Sequence, residues 1–259
     1  MKWVKGPFLH QGKGKTVYAV KDTSHLVWME FKDSLTAFNG KKKSQFSGKG
    51  GINRDISSLA FRYLKNENID SHWLGDTHET GMICEKLKII PLEVVVRNRL
   101  AGSTAKKFQI PEGEKLSKPL VEFYYKNDEL GDPFISSEQA LAFSFVSQKT
   151  EIEYLTDQAL LINQKLKVFF DMVHLELIDF KLEFGAKLHP DKIKKSSLQN
   201  KVNFVLGDEI SCDTCRLWDK KTGEKRDKDR FRLGLGQVAE NYQQVREILS
   251  QYWTDKLKK

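Results

Sequence analysis

Apolar and polar positions alternate with a period of two along 175–184. Ile178, Phe180, Leu182 and Phe184 share one face there, and Asp179, Lys181 and Glu183 share the other, the pattern of a half-buried β-strand. Shorter strand-like runs occupy 15–20, 26–31 and 202–206, and 82–88 and 92–98 flank Pro91. Helical spacing marks three segments. Ile52, Ile56, Leu59, Ala60, Tyr63 and Leu64 define 52–65; Ile152, Leu155, Ala159, Ile162, Leu166, Phe169 and Val173 define 151–173; Val238, Tyr242, Val245 and Leu249 define 237–252. The first third therefore reads as β-rich with one helix, and the rest as a larger mixed part, with Pro91 a natural crossing point between them. Residues 187–201, rich in Lys, read as an exposed loop or hairpin insertion.

A length of 259 residues suits one large domain or two packed lobes, and 39% hydrophobic residues can fill a core. Disordered and fibrous classes are excluded. The most apolar stretches are short and carry Asp, Glu and Lys, so no membrane helix is expected, and no secretory or lipidation signal is visible. The net charge of +8 attracts anions without distinguishing nucleic acids, lipids and small phosphorylated molecules. Three cysteines, Cys84, Cys212 and Cys215, cannot make a disulfide framework, which favours a reducing cytoplasm. Cys212 and Cys215 form a C-x-x-C, but no further ligands complete a zinc site, and the pair reads as two small side chains in a loop.

The row Asp179, Lys181 and Glu183 carries the most chemical information. A carboxylate there suits Mg²⁺ and an adjacent Lys suits a phosphate, although any one such charge is by default part of a solvated strand face. Asp208 and Glu209, at the end of the next strand, can add a second acidic ligand across a hairpin. Glu93, Arg97 and Arg99 share one parity in an apolar run, and an arginine at a buried strand end needs an anion. The following Ala101-Gly102-Ser103-Thr104 looks like a helix start, so Arg97 and Ser103 read equally as a phosphate clamp or as a structural Arg–Glu pair with a serine cap. Gly12-Lys13-Gly14-Lys15-Thr16 is not a P-loop, because Leu9 stands where the first Gly is required and a strand follows. A glycine-rich turn between strands still suits nucleotide phosphates. Residues 47–51 form a second candidate anion loop ahead of the 52–65 helix. The Asp227–Arg232 run, dense in mixed charge, reads as solvated surface.

Together these segments resemble the SAICAR synthetase family of purine biosynthesis. The likeness rests on Ile89 through Arg97 continuing to Ala101-Gly102-Ser103, and on Leu177-Ile178-Asp179 through Gly185. It is supported by GKGKTVY (12–18), KNDELGDP (126–133), GDEIS (207–211), RLWD (216–219) and DKDRFR (227–232). The resemblance implies an α+β, two-lobed SAICAR-synthetase-like fold, ATP-grasp or kinase-like. Residues 1–90 would form a β-rich ATP-binding lobe, and 91–259 a mixed α/β lobe with the ribotide, metal and remaining ATP contacts. It implies a ligase that joins L-aspartate to the carboxylate of carboxyaminoimidazole ribotide (CAIR) through an acyl phosphate, releasing ADP and phosphate. ATP would be a co-substrate and Mg²⁺ the cofactor.

Carried over by residue, Lys13, Gly14 and Lys15 would lie over the ATP phosphates, and Lys86 would lie at the inter-lobe hinge by the adenine. Glu183 and Asp208 would hold Mg²⁺, Glu183 also contributing to the ATP site. Lys181 would reach the transferring phosphoryl group. Arg97, Ser103 and Arg216 would clamp the ribotide phosphate, and Asp179 would bind the ribotide, Lys181 and Asp179 being the catalytic pair. Lys126, Asp132, Arg230 and Arg232 lie in family motifs without an assigned role. The implied partners are small molecules, with no nucleic acid and no membrane, in the cytoplasm; a homo-oligomer is left open. The chain departs from the family at Cys212 to Cys215, at the longer 187–201 segment and at Gly14, where a small residue such as Ala is common. A small-molecule kinase and a basic nucleic-acid-binding module compete with this reading, but neither accounts for the two signature stretches.

Overall fold

The computed structural model describes residues 3–38, 40–78, 80–188 and 204–257. The 187–201 insertion therefore lies almost wholly outside the described residues. The chain opens with β1 (Lys5–Gln11), β2 (Lys15–Val20), β3 (Thr23–Phe31), the hairpin β4 (Ser34–Ala37) and β5 (Lys42–Gln45), α1 (Lys49–Asn66), β6 (Trp73–Asp76) and β7 (Gly81–Glu85). It continues with β8 (Leu87–Arg99), α2 (Gly102–Phe108), β9 (Lys115–Tyr125), β10 (Phe134–Ile135), α3 (Ser137–Ala142) and α4 (Lys149–Asp171). Last come β11 (Leu175–Lys187), β12 (Phe204–Gly207), β13 (Cys215–Asp219), α5 (Asp229–Leu233) and α6 (Val238–Trp253).

Two antiparallel sheets result. One has the order β1-β2-β3-β7-β6; the other runs β10-β9-β8-β11-β12, with β13 also pairing β11. The largest apolar cluster runs from Val27 and Met29 on β3 through Ile56 and Leu64 on α1 to Leu166 on α4, Phe180 on β11 and Leu249 on α6, so one core backs both sheets. Among the described residues no helix is long and apolar enough to cross a membrane.

Pro91 does not separate two strands. β7 ends at Glu85, and β8 runs unbroken through Pro91. A bulge absorbs the proline: Glu93 and Ile89, four apart on β8, face Glu183 and Gly185, two apart on β11. The Pro91 carbonyl accepts the Lys126 amide at 3.0 Å.

β11 positions the site. β8 flanks it on one side, whereas on the other side the partner changes: β13 pairs residues 175–180 and β12 pairs 183–186. The 208–214 loop fills the change-over, and its Thr214 carbonyl accepts the Lys181 amide at 3.0 Å. The apolar parity of β11 is buried as expected, but Asp179 and Glu183 are only 3% exposed. Their face is an internal wall, not open surface.

The anion loop expected at 47–51 is already occupied by the chain itself. Asp33 accepts the Gly48 and Gly50 amides at 3.1 and 2.9 Å, satisfying the free N–H groups that open α1. Asp33→Ala is expected to lower stability by ~1 kcal/mol, with Asp33→Asn intermediate, as N-cap losses do. Urea unfolding measures this, and an unchanged midpoint would show that the carboxylate does not anchor the helix.

Candidate active site

Cross-strand register decides which charges meet. Asp179 stands opposite Arg97 of β8 on one side and Arg216 of β13 on the other. Its carboxylate accepts Arg97 Nη1 at 2.6 Å and Arg216 Nη1 at 3.0 and 2.8 Å. Arg97 also donates Nε to Glu122 at 2.6 Å and Nη2 to the Tyr124 hydroxyl at 3.3 Å; Arg216 donates Nε to Asp229 at 2.7 Å. Burial works against both guanidinium charges, but Asp179 with Glu122 or Asp229 outweighs it and raises both pKa values. α2 begins against this pair. Gly102 has φ 63°, and a Cβ there would come within 2.3 Å of Arg216 Nη2, so only glycine allows the approach. Ser103 follows, exposed on the cavity wall.

A second cluster lies further along β11. Glu183 faces Glu93 directly across β8, and like charges so placed repel. Lys181 resolves the conflict by lying 2.6 Å from Glu93 and 3.1 Å from Glu183, and Lys126 reaches both Glu183 oxygens at 2.5 Å. Lys15, just past the glycine-rich turn, lies 2.5 Å from Asp208 and 3.1 Å from Glu209. Desolvation disfavours the charge on Lys15 and Lys181, yet the surrounding carboxylates win and push both ammonium pKa values up. For Asp208, desolvation is likewise outweighed, by Lys15, Lys181 and Lys126, and its pKa falls. Desolvation prevails at Glu93 and Glu209, which shift up.

Asp208 adopts the left-handed φ of 57°, a costly conformation for a residue with a Cβ. Buried His72 supports it. Its Nε2 lies 3.0 Å from the Asp208 carbonyl, and since a carbonyl only accepts, Nε2 carries a proton. The His72 amide donates to the Leu206 carbonyl at 2.8 Å, tying the first sheet to β12. Burial lowers the His72 pKa to about 4, despite Asp208 acting in the opposite direction.

Both clusters open into one cavity of about 1670 Å³. Each residue implicated above by resemblance lines it: Lys13, Gly14, Lys15, Lys86, Arg97, Ser103, Asp179, Lys181, Glu183, Asp208 and Arg216. Lys13 lies 2.8 Å from Asp128 on the opposite wall, and Lys86 occupies the break between β7 and β8. Val17, Val27 and Met29 give that end an apolar lining suited to a base.

The SAICAR synthetase family model matches residues 8–249. A phosphoribosylaminoimidazole-succinocarboxamide synthase of Halalkalibacterium halodurans is 46% identical over 93% of this chain and 96% of its own length, and that of Bacillus subtilis is 43% identical over 95% and 96%. Among solved structures, the synthase of Ehrlichia chaffeensis superposes with a TM-score of 0.86 at 41% identity, covering 94% of this chain and 98% of that one. A SAICAR synthetase in complex with ADP gives 0.84 at 40% identity with the same coverage. The chain belongs to the SAICAR synthetase family.

Some of this member's site residues were unmarked in the sequence or marked only as family motif. The Asp227–Arg232 run, read as solvated surface, is largely internal: Asp227, Asp229 and Arg230 are buried. Asp227 accepts the Leu217 amide at 2.8 Å and the Asp229 amide at 2.7 Å, and burial, reinforced by Asp229, raises its pKa to about 7. Lys49, 1% exposed, pairs with Asp213 at 2.5 Å, and the Tyr242 hydroxyl donates to the same carboxylate at 2.9 Å. Glu122, His72 and Asp213 are isolated polar residues within apolar or loop sequence, without periodicity to mark them; Lys49 lay in the 47–51 loop read as an anion site, but its carboxylate partner is remote in sequence. Cys212 and Cys215 are buried and free, and burial pushes both thiols up, so neither is a thiolate at neutral pH.

The lowered His72 pKa gives a pH signature. Above its unfolded value of 6.5 the ring is neutral in both states; as pH falls below that, only the unfolded chain takes up the proton until about pH 4. Stability should thus fall by about 2 kcal/mol from about pH 7 to about pH 5 through this group. His72→Gln, which keeps a donor for Asp208, should remove that portion. Urea titrations of both proteins at the two pH values test this, and parallel losses would exclude His72 as the source.

Proposed function

We infer that this chain is the ATP-dependent ligase that joins L-aspartate to the carboxylate of 5-amino-1-(5-phospho-D-ribosyl)imidazole-4-carboxylate, giving SAICAR, ADP and phosphate. The observation that carries the reading is the alignment on β11 of an arginine-bracketed carboxylate with a lysine-rich phosphoryl corner, in one cavity, within a chain of this family. A carboxylate is a poor electrophile, so one of its oxygens first takes the γ-phosphoryl group from ATP, and the aspartate amine then displaces phosphate from that acyl phosphate. Positioning and charge neutralisation supply most of the catalysis in such transfers.

The residue roles follow from the two corners. Lys13, Gly14 and Lys15 cover the ATP phosphates, and Lys86 with the apolar wall receives the adenine. Lys181, between Glu93 and Glu183, faces the transferring phosphoryl group. Arg97, Arg216 and Ser103 hold the ribotide phosphate, and Asp179, fixed between the two arginines, orients the ribotide. The division at 90/91 into an ATP-binding lobe and a substrate lobe belongs to the same reading; the boundary falls within β8, which begins the second sheet at Leu87. Small molecules are the partners, and no role is assigned to nucleic acid or membrane. Three free buried cysteines suit a reducing cytoplasm.

Glu183 and Asp208 offer hard oxygen donors on one cavity wall, and both already face ammonium groups where a polyphosphate would lie. Among the described residues no three His, Cys, Asp or Glu side chains form a metal-binding group. This donor set fits Mg²⁺, which takes one or two carboxylates together with phosphate oxygens. When bound, the ion would neutralise charge on the phosphates; Glu183 and Asp208 would hold it.

Omitting components from a coupled ADP assay tests the reaction. ADP release should require ribotide, ATP and L-aspartate together; equal release without aspartate would indicate a kinase instead. Glu183→Gln should abolish turnover with the fold intact by circular dichroism, whereas wild-type rates would remove Glu183 from the site. Arg216→Lys keeps the charge but loses the planar fork, so the ribotide KM should rise about tenfold or more with the ATP KM little changed. Equal effects on both would assign Arg216 a structural role.

A further inference from the structure

We propose that Asp227 is a positioning residue for substrate binding: without touching the ribotide, its carboxylate holds Arg216 in register for the ribotide phosphate. The identity of that substrate rests on the ligase reading above. Asp227 is fully buried, and unlike Arg216 and Asp229 it takes no part in the cavity wall. Its two oxygens are divided between two segments of chain. Oδ2 accepts the Leu217 amide on β13 at 2.8 Å, and Oδ1 accepts the Asp229 amide at the start of α5 at 2.7 Å. Leu217 directly follows Arg216, and Asp229 is the residue whose carboxylate accepts Arg216 Nε at 2.7 Å. One carboxylate therefore holds the backbone on both sides of the Arg216–Asp229 pair.

β13 needs that second hold. On its β11 side the ladder is irregular here: Leu217 faces Leu177 and Arg216 faces Asp179, so two steps along β11 match one along β13. A bulge of this kind bends the strand and interrupts the pairing. Among the described residues the other edge of β13 carries an isolated bridge between Trp218 and Lys225, not a strand. The Leu217 carbonyl accepts the Arg226 amide at 2.8 Å. Where a strand would offer its next acceptor, the Asp227 side chain takes the Leu217 amide, a buried donor that must find a partner.

Arg216 tolerates little rotation. Its planar guanidinium commits Nε to Asp229 and Nη1 to Asp179, and Nη2 faces Gly102, where any Cβ would lie 2.3 Å away. Recognition of a phosphate by such a fork depends on its plane. An amide at 227 accepts one of the two backbone N–H groups and turns its own NH2 toward the other, which frees one side of the pair. A plain capping role predicts something else. The bond from Asp227 to the amide two residues on is a common turn contact, and losing it alone would lower stability without favouring one substrate over another.

Asp227→Asn and Asp227→Ser in the full chain test the proposal, with ribose 5-phosphate as the calorimetric probe and steady-state kinetics alongside. The dissociation constant of ribose 5-phosphate and the ribotide KM should each rise about fivefold or more, while the dissociation constant of ADP and the KM for ATP stay within about twofold of wild type. In Asp227→Asn combined with Arg216→Lys, the ribotide KM should stay within about twofold of Arg216→Lys alone, because Asp227 acts through that arginine. Additive losses in the double variant would overturn the proposal. So would equal losses for ribotide and ATP, an unchanged affinity for ribose 5-phosphate, or failure of both single variants to fold. ADP formation by the wild type without aspartate would instead overturn the ligase reading, and the ribose 5-phosphate titration would still decide the role of Asp227.

Discussion

The cavity face of β11 places two carboxylates where little water reaches them, and the site depends on those charges having partners. Asp179 and Glu183 are almost fully buried, and an unpaired buried charge costs about 3–5 kcal/mol when one partner is removed. The strand register supplies the partners. Arg97 and Arg216 fall opposite Asp179 on the two flanking strands, Lys181 separates Glu183 from the carboxylate it faces, and Lys126 pairs with Glu183 as well. The fold and the chemistry therefore share one requirement: a residue slip in β11 would strand its charges and expose its apolar face.

The pairing also prepares the site for polyanions. Cations needed by phosphates are held in place by protein carboxylates, so binding substrate exchanges one anion for another and orders few new side chains. The same interactions join the parts of the chain. Lys15 on β2 reaches Asp208 beyond β12, Lys49 on α1 reaches Asp213, and His72 before β6 supports the strained Asp208 backbone. The active site is consequently part of the seam between the sheets, and the net charge of +8 reports poorly on it, because the site's cations are largely matched by acids.

Much of the framework was legible where a periodic pattern met a single environment. The strand 15–20 and the long helix near 151–173 were recognisable because each buries one regular face. β1 and β9 were not, since exposed residues dominate β1 and the first six residues of β9, Pro119 among them. β8 was divided at Pro91 because a proline alone does not reveal the bulge that accommodates it. The 47–51 loop carried the glycine-rich look of an anion site, but Asp33, distant in sequence, fills it.

The amino-acid sequence by itself determined the supply of groups: alternating charges on one strand, an arginine at a strand end, a glycine-rich lysine turn, and motifs sufficient to indicate the family. These are local properties, set by the period of the backbone and the chemistry of neighbouring residues. Only the tertiary structure decided that Asp179 lies between two arginines, that Lys181 separates two carboxylates, and that the Asp227–Arg232 run is an internal brace presenting Lys228 and Arg232 to the cavity. Electrostatic pairing depends on distance in space and on exclusion of water, and neither quantity is written in the order of residues along the chain.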